Sequence, residues 1–144
     1  MNDALLPAPR TYLDSNIFIY LIERSTRWHD LALKVFVDAD RSGTRLFTSD
    51  LTVAECLLQP HRHRNAPLIS RYERFFEQDA EIARVAVDYG LLKYASHIGG
   101  ALGMKLSDAI HVASALSVGC EMFVTNDHGI RAPDGLAITR LGDS

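Results

Sequence analysis

Four acidic residues, Asp14, Glu55, Asp108 and Asp127, lie in well-separated segments, each beside strongly apolar sequence. Asp14 divides "TYL" from "NIFIY", and Asp127 follows "MFVT". Asp108 opens the run "AIHVASAL", and Glu55 sits within "LTVAECLLQP", just beyond the β-prone "RLFT". A carboxylate at the end of a buried strand is awkward alone, and several converging there repel one another. Two like charges ~4 Å apart cost ~4 kcal/mol at an effective dielectric near 20. Such a cluster must take up protons or bind a cation. Oxygen-only donors favour hard ions, Mg²⁺ or Mn²⁺, which are commonly held by one or two carboxylates together with water and phosphate. An ion so placed polarises a phosphoryl oxygen and lowers the pKa of an attacking water, which is the chemistry of phosphodiester hydrolysis. Taken singly, each acid reads more simply as a helix cap or turn former. The chemical reading depends on their convergence.

Convergence requires elements that bring the four acids to one place. Thr11 to Leu13 reads as a short strand, followed by a helix over Ile17 to Ile22. Apolar spacing from Trp28 to Ala39 predicts a second helix, ended by "RSGT". Arg45 to Thr48 reads as a strand, and Ser49 or Asp50 caps a helix to about Leu58, stopped by Pro60. "PHRHRNAP" is expected to be a loop and Leu68 to Gln78 a helix, with a strand over Asp79 to Val85. A helix over Val87 to Ile98 is expected to end at Gly99 and Gly100, and Ser107 to cap another over Asp108 to Val118. Strands over Met122 to Thr125 and Leu136 to Thr139 close the chain. Strands alternating with helices predict an α/β sandwich, with a mostly parallel central sheet and helices on both faces. In such sheets the functional crevice lies at the carboxyl ends of the strands. Asp14, Asp127 and the helix starts near Asp108 and Glu55 all fall there.

With these neighbours the four segments resemble the PIN-domain ribonucleases, especially the VapC-like toxins of bacterial toxin–antitoxin pairs. "YLDSNIFIY" is similar to the first motif of that family, "LTVAECLLQP" to the second, and "LSDAIHVASALSVGCEMFVTND" to the third and fourth together. The resemblance spans about residues 11 to 140. It implies a single PIN-like domain over residues 10–144 behind a short tail of residues 1–9. It further implies a divalent-metal-dependent endoribonuclease using Mg²⁺ or Mn²⁺. Asp14 and Asp108 are then the principal metal ligands, with Asp127 and Glu55 completing the acidic site directly or through water. Asn16 and Thr125 orient the carboxylates, and the nucleophile is an activated water. The implied role is that of a toxin that inhibits translation, paired with a cognate antitoxin and forming a homodimer. Phe18 to Ile22 and Tyr72 to Phe76 are candidate dimer contacts. Two alternatives stand beside this reading: a non-catalytic PIN module that binds RNA or a protein, and a housekeeping RNA-processing nuclease. Four intact acids argue against a decayed site.

The remaining features are compatible with that picture. A chain of 144 residues, 47% hydrophobic and 23% charged, has the composition of one globular domain. No apolar run approaches the ~20 residues of a membrane span, and no basic segment precedes an apolar stretch at the N-terminus. The expected location is therefore the cytoplasm. Twelve of the fifteen basic residues are Arg, the side chain suited to bidentate phosphate contacts. Discounting the four acids moves the net charge from −3 to about +1, so a cation-filled site would not strongly repel nucleic acid. Arg62 and Arg64, in a basic loop with His61 and His63, are candidate RNA contacts. The HxH pair lacks a nearby third ligand. Cys56 and Cys120, embedded in apolar sequence, read as small core residues and not as nucleophiles. His111, one turn after Asp108, is expected to pack in the core, with a position facing the acids as the alternative. "DSN" lacks the second acid of a phosphatase-type DxD, and no Gly-rich phosphate loop is present.

Overall fold

The computed structural model describes residues 7–78 and 81–143. Among these, five strands form one sheet in the order β3-β2-β1-β4-β5, and every pairing is parallel. The strands are β1 (Arg10–Leu13), β2 (Arg45–Ser49), β3 (Ile82–Val85), β4 (Met122–Thr125) and β5 (Ala137–Arg140). Six helices connect and cover them: α1 (Ser15–Ile22), α2 (His29–Ser42), α3 (Asp50–Arg62), α4 (Ala66–Gln78), α5 (Tyr89–Leu102) and α6 (Leu106–Ser117). The expected α/β class with helices on both faces is therefore observed, and the described sheet is wholly parallel.

Adjacent strand residues point to opposite faces, and the central strands are apolar on both. Tyr12, Phe47 and Phe123 enter one core with α5 and α6, and Leu13, Leu46 and Val124 enter the other with α1, α2 and α4. On the first face Tyr12 stacks on Phe123 at 4.9 Å between ring centroids. On the second, Phe18 meets Phe36, Phe75 and Phe76 within 6 Å. Phe18, Tyr72 and Phe76 are buried there, whereas Ile19 to Ile22 and Phe75, in the segments expected to contact a partner, are only partly buried. The rings of Phe18, Phe75 and Phe76 fill the seam between α1 and α4.

Helix boundaries departed from expectation where a breaker residue met a tertiary demand. Pro60 does not end α3, which runs on to Arg62. A proline that close to the terminus forfeits one intrahelical bond, its ring is buried, and its carbonyl still accepts from the Asn65 N–H at 2.9 Å. The expected loop at 60–67 therefore shrinks to residues 63–65, with Asn65 Oδ1 accepting from the Leu68 N–H at the start of α4. Gly99 and Gly100 lie inside α5. A Cβ on Gly99 would stand 3.0 Å from the Ala109 Cβ, so the glycine lets α5 and α6 pack closely. Gly103, at φ +72°, ends α5 instead. The α6 cap is Lys105 and not Ser107, and Asp88, by accepting from Leu91 N–H, starts α5 two residues later than expected. Of the strand expected over Asp79 to Val85, Asp79 and Ala80 lie outside the described residues, and the remainder is β3.

Candidate functional site

Asp14 is the residue at which β1 gives way to α1. Its N–H donates to the Val124 carbonyl of β4 at 3.0 Å, so its backbone stays tied to the sheet while its side chain turns to the carboxyl edge. Oδ1 accepts the Ser15 N–H at 2.8 Å as a helix cap, and Oδ2 accepts the Thr125 hydroxyl at 2.7 Å. Thr125 ends β4, and its oxygen in turn accepts the Asp127 N–H at 2.9 Å. The Asn16 amide reaches the same oxygen at 3.5 Å, while Asn16 Oδ1 is buried without a partner. A single threonine thus spends its one donor on Asp14 and ties Asp127 to the same edge.

Asp108 enters from the first turn of α6 and is 6% exposed. Burial, the charge of Asp127 and a hydrogen bond to that carboxylate push its pKa up to about 6, with Asp14 adding and only Lys105 opposing. Gly129 lies against both acids. A Cβ on it would stand 3.0 Å from Asp108 Oδ2 and 3.2 Å from Asp127 Oδ1, and its N–H donates to Asp127 Oδ1 at 2.8 Å. The missing Cβ leaves a cradle lined by two carboxylates.

His111 corrects the expectation of a packing residue. It is 1% exposed, but its ring joins the acids to the core. Nε2 lies 2.5 Å from Glu55 Oε1 and 3.6 Å from Asp14 Oδ1, and Nδ1 lies 2.6 Å from the Tyr12 hydroxyl. A carboxylate only accepts, so Nε2 carries the proton shared with Glu55. Burial pushes the ring's pKa down, but the Glu55 bond and the charges of Asp14, Glu55 and Asp108 more than offset it and raise the pKa above the ordinary imidazole value. Tyr12 is held well above the usual phenol range by burial and by Asp14, which keeps its proton in place. Beneath them Thr48 donates to the Leu13 carbonyl at 2.8 Å and pairs with Thr52 at 2.7 Å, fixing α3 on the sheet. The spacing Asp108–His111, i and i+3 across the first two turns of one helix, was the signal available in the sequence, because such residues share a face.

Of the expected site residues, Asp14, Asn16, Asp108, Thr125 and Asp127 are brought to one edge, and Glu55 joins them through His111. Arg62 and Arg64 do not. Both are exposed, Arg62 at the far end of α3, about 10 Å along the helix axis from Glu55, and Arg64 in the loop beyond it. Cys56 and Cys120 are buried, and burial raises both thiols. Two clefts lie elsewhere. One of about 390 Å³ is lined in part by Leu21, Phe36, Leu46 and Phe75, and another of about 430 Å³ by Ile22, Arg71, Arg74, Phe75 and Gln78. The acids form a feature of the sheet edge.

A hard divalent cation fits this edge in a limited sense. The donors are all oxygens, Asp108 and Asp127 oppose each other across a Gly129 cradle, and Asn16, whose amide nitrogen reaches Thr125, has a buried amide oxygen without a partner. Among the described residues no group of three or more His, Cys, Asp or Glu is close enough to form a cage. The arrangement therefore suits an ion held by two carboxylates and water, as Mg²⁺ is commonly bound.

A parallel α/β domain with an acidic carboxyl edge is thus the class that fold and site define. Within that class, the PIN domain model matches residues 11–136, and the chain belongs to the PIN-domain family. Its fold is shared by VapBC2 from Rickettsia felis bound to a DNA fragment from its promoter, at TM-score 0.70 and 14% identity over 91% of this chain and 98% of that one. A toxin–antitoxin complex from Klebsiella pneumoniae matches at TM-score 0.65 and 16% identity, over 88% and 95% of the two chains. Mycobacterium tuberculosis VapC20, described as a Sarcin-Ricin loop cleaving toxin, matches at TM-score 0.66 and 13% identity, over 87% and 92%. No curated protein sequence matches the chain. Among the described residues no helix is long and apolar enough to cross a membrane.

Proposed function

We propose that this chain is a divalent-metal-dependent endoribonuclease, the toxin of a toxin–antitoxin pair that inhibits translation in the cytoplasm. The observation that carries the reading is the opposed pair Asp108 and Asp127 on the Gly129 cradle, with Asp14 beside them at the carboxyl edge of the sheet. The family and the toxin-type structural neighbours support it. An edge site, unlike an enclosed cavity, also suits a chain substrate that passes across it.

Two of Asp14, Asp108 and Asp127 would hold Mg²⁺ or Mn²⁺ directly and the third through water, and the ion when bound would neutralise phosphate charge and acidify a water. Asp14 enters with its oxygens already aimed by Ser15 and Thr125, so its geometry is set before any ligand arrives. Asp127 is fixed through its backbone to Thr125 and through Oδ1 to Gly129. Glu55, a third exposed and anchored by His111, is placed to accept a proton from the attacking water. Arg62 and Arg64, at the end of α3 and in the loop beyond it, lie too far off to touch a phosphate at the acids, and would serve only a strand extending along the helix. A small antitoxin chain is the proposed partner and a homodimer the proposed assembly.

The test is cleavage of a mixed single-stranded and structured RNA set by the purified chain with Mg²⁺, Mn²⁺ or EDTA, with D14N and D108N as controls. Cleavage that needs the ion and both aspartates supports the reading. Equal cleavage by wild type and D108N, or none with either ion, overturns it.

A further inference from the structure

The buried imidazole of His111 is the feature that the four acids do not account for. Its two nitrogens are committed to different layers of the molecule. Nδ1 faces Tyr12, a fully buried β1 residue stacked on Phe123, and Nε2 faces Glu55 on α3. Three elements that are not neighbours in sequence are joined by two short hydrogen bonds. Glu55 gains no other hydrogen-bond partner among the described residues, so its Oε1 is held by the ring and its second oxygen is left open. The same ring edge approaches Asp14 at 3.6 Å, which places Glu55 and Asp14 on either side of one N–H. A packing histidine would need neither bond.

We propose that His111 is a positioning residue: anchored by Tyr12, its Nε2–H fixes the Glu55 carboxylate against Asp14 at the rim of the cation site. This rests on the reading of the acidic edge as a cation site, and it concerns the chain before any RNA is present. Tyr12 sets the ring plane, the ring sets Glu55, and Glu55 completes the oxygen-donor rim directly or through water. Groups that orient ligands in this way typically change metal affinity by about 10–100-fold when removed.

The test is Mn²⁺ binding to the full chain, followed by the loss of the free-ion EPR signal, in wild type, D14N, H111L, H111Q and Y12F. Glutamine carries an N–H near the position of the ring Nε2, whereas leucine has only the volume. The expected result is Mn²⁺ binding about 10-fold weaker in H111L, within about threefold of wild type in H111Q, and intermediate in Y12F. A merely structural role would lower the unfolding temperature of H111L and H111Q together without separating their Mn²⁺ affinities. H111L binding like wild type while D14N binds poorly overturns the inference and leaves the site reading standing. D14N binding like wild type removes the cation site and the inference with it. If H111L does not fold, H111Q against H111N decides, since asparagine is too short to reach Glu55, and equal affinities overturn the proposal.

Discussion

Asp14 and Asp108 lie in the same pocket, both nearly buried, and are treated in opposite ways by the fold. Asp14 accepts two directed hydrogen bonds, from Ser15 and Thr125, and its backbone is stitched to β4. No N–H donor among the described residues reaches the Asp108 carboxylate, which faces Asp127 and is pushed up to about pH 6. One side of the pocket is finished by the protein, and the other is left electrostatically incomplete. That division is what a cation site needs: a pre-aimed ligand that fixes position, and an uncompensated one that supplies the reason to bind.

Neutralising each side should give effects of opposite sign in the metal-free chain. D108N relieves a repelled, buried carboxylate and is expected to stabilise the protein at pH 7 by about 1–2 kcal/mol, once solvent screening is allowed for. D14N keeps the cap but weakens two charge-assisted bonds, and is expected to cost about 1–2 kcal/mol. Both should lower Mn²⁺ affinity by about 100-fold or more, beyond what loss of an orienting group costs. Urea unfolding in EDTA and Mn²⁺ titration measure the two effects on the same samples. If D108N destabilises the metal-free protein, the contrast between the two acids is wrong.

The pH dependence sharpens the same contrast. The Asp108 carboxyl has its pKa raised in the folded state from 3.8 to about 6, so over that window the folded chain holds a proton that the unfolded chain has released. Its contribution to stability is present below pH 4, declines as pH rises through about 6, and is then constant. Unfolding in EDTA from pH 4 to 7 should show this component of decline in wild type and not in D108N. Saturating Mn²⁺ should flatten it. A difference between the two proteins that does not change across this range would assign the shift elsewhere.

How much of this was legible beforehand follows the same division. Period-2 pairs such as Phe123 and Val124 mark strands buried on both faces, so the layers and the position of Asp14 and Asp127 at strand ends could be read directly. Local rules failed where distant partners overrode them. Gly99 and Pro60 are breakers by composition, yet one is needed for the approach to Ala109 and the other is buried where a single lost hydrogen bond is tolerated. The acids were legible because charge beside apolar sequence is conspicuous. His111 was misjudged because a histidine among Ala, Ile and Val has the same local pattern whether it packs or bonds. Its partners Tyr12 and Glu55 are 99 and 56 positions away, and no periodicity reports on pairs at that range.

Thr125 joins the finished side of the pocket to Asp127, and replacing it tests whether the finish matters. T125V is close in volume but loses the donor to Asp14 and the acceptor for the Asp127 N–H. It is expected to cost about 1–3 kcal/mol of stability, because buried polar groups lose partners. Mn²⁺ affinity should fall by about 10-fold, less than in either aspartate variant. T125S, which retains the hydroxyl, should recover most of both. Calorimetric unfolding and Mn²⁺ titration of the pair give the answer, and equal affinities in T125V and T125S would show that Asp14 needs no aiming.

The smallest effects belong to the end of α3 that no bond connects to the pocket. Arg64 holds φ +52°, a left-handed conformation that glycine adopts without a side-chain penalty, so R64G should gain up to about 1 kcal/mol. Arg62 and Arg64 are exposed, and removing both should leave Mn²⁺ affinity unchanged, since neither touches an acid. If they contact RNA at all, each phosphate lost lowers the salt dependence of single-strand binding by about 0.7 in the log–log slope. Fluorescence anisotropy of a labelled single-stranded RNA at several salt concentrations, in Ca²⁺ or EDTA to prevent cleavage, measures that slope. An unchanged slope in the double variant would mean that the basic turn is solvated surface, and that RNA is held from the acidic edge outward. A Mn²⁺ affinity that falls with these arginines would instead extend the wired region along the whole of α3, from Ser49 to its far end.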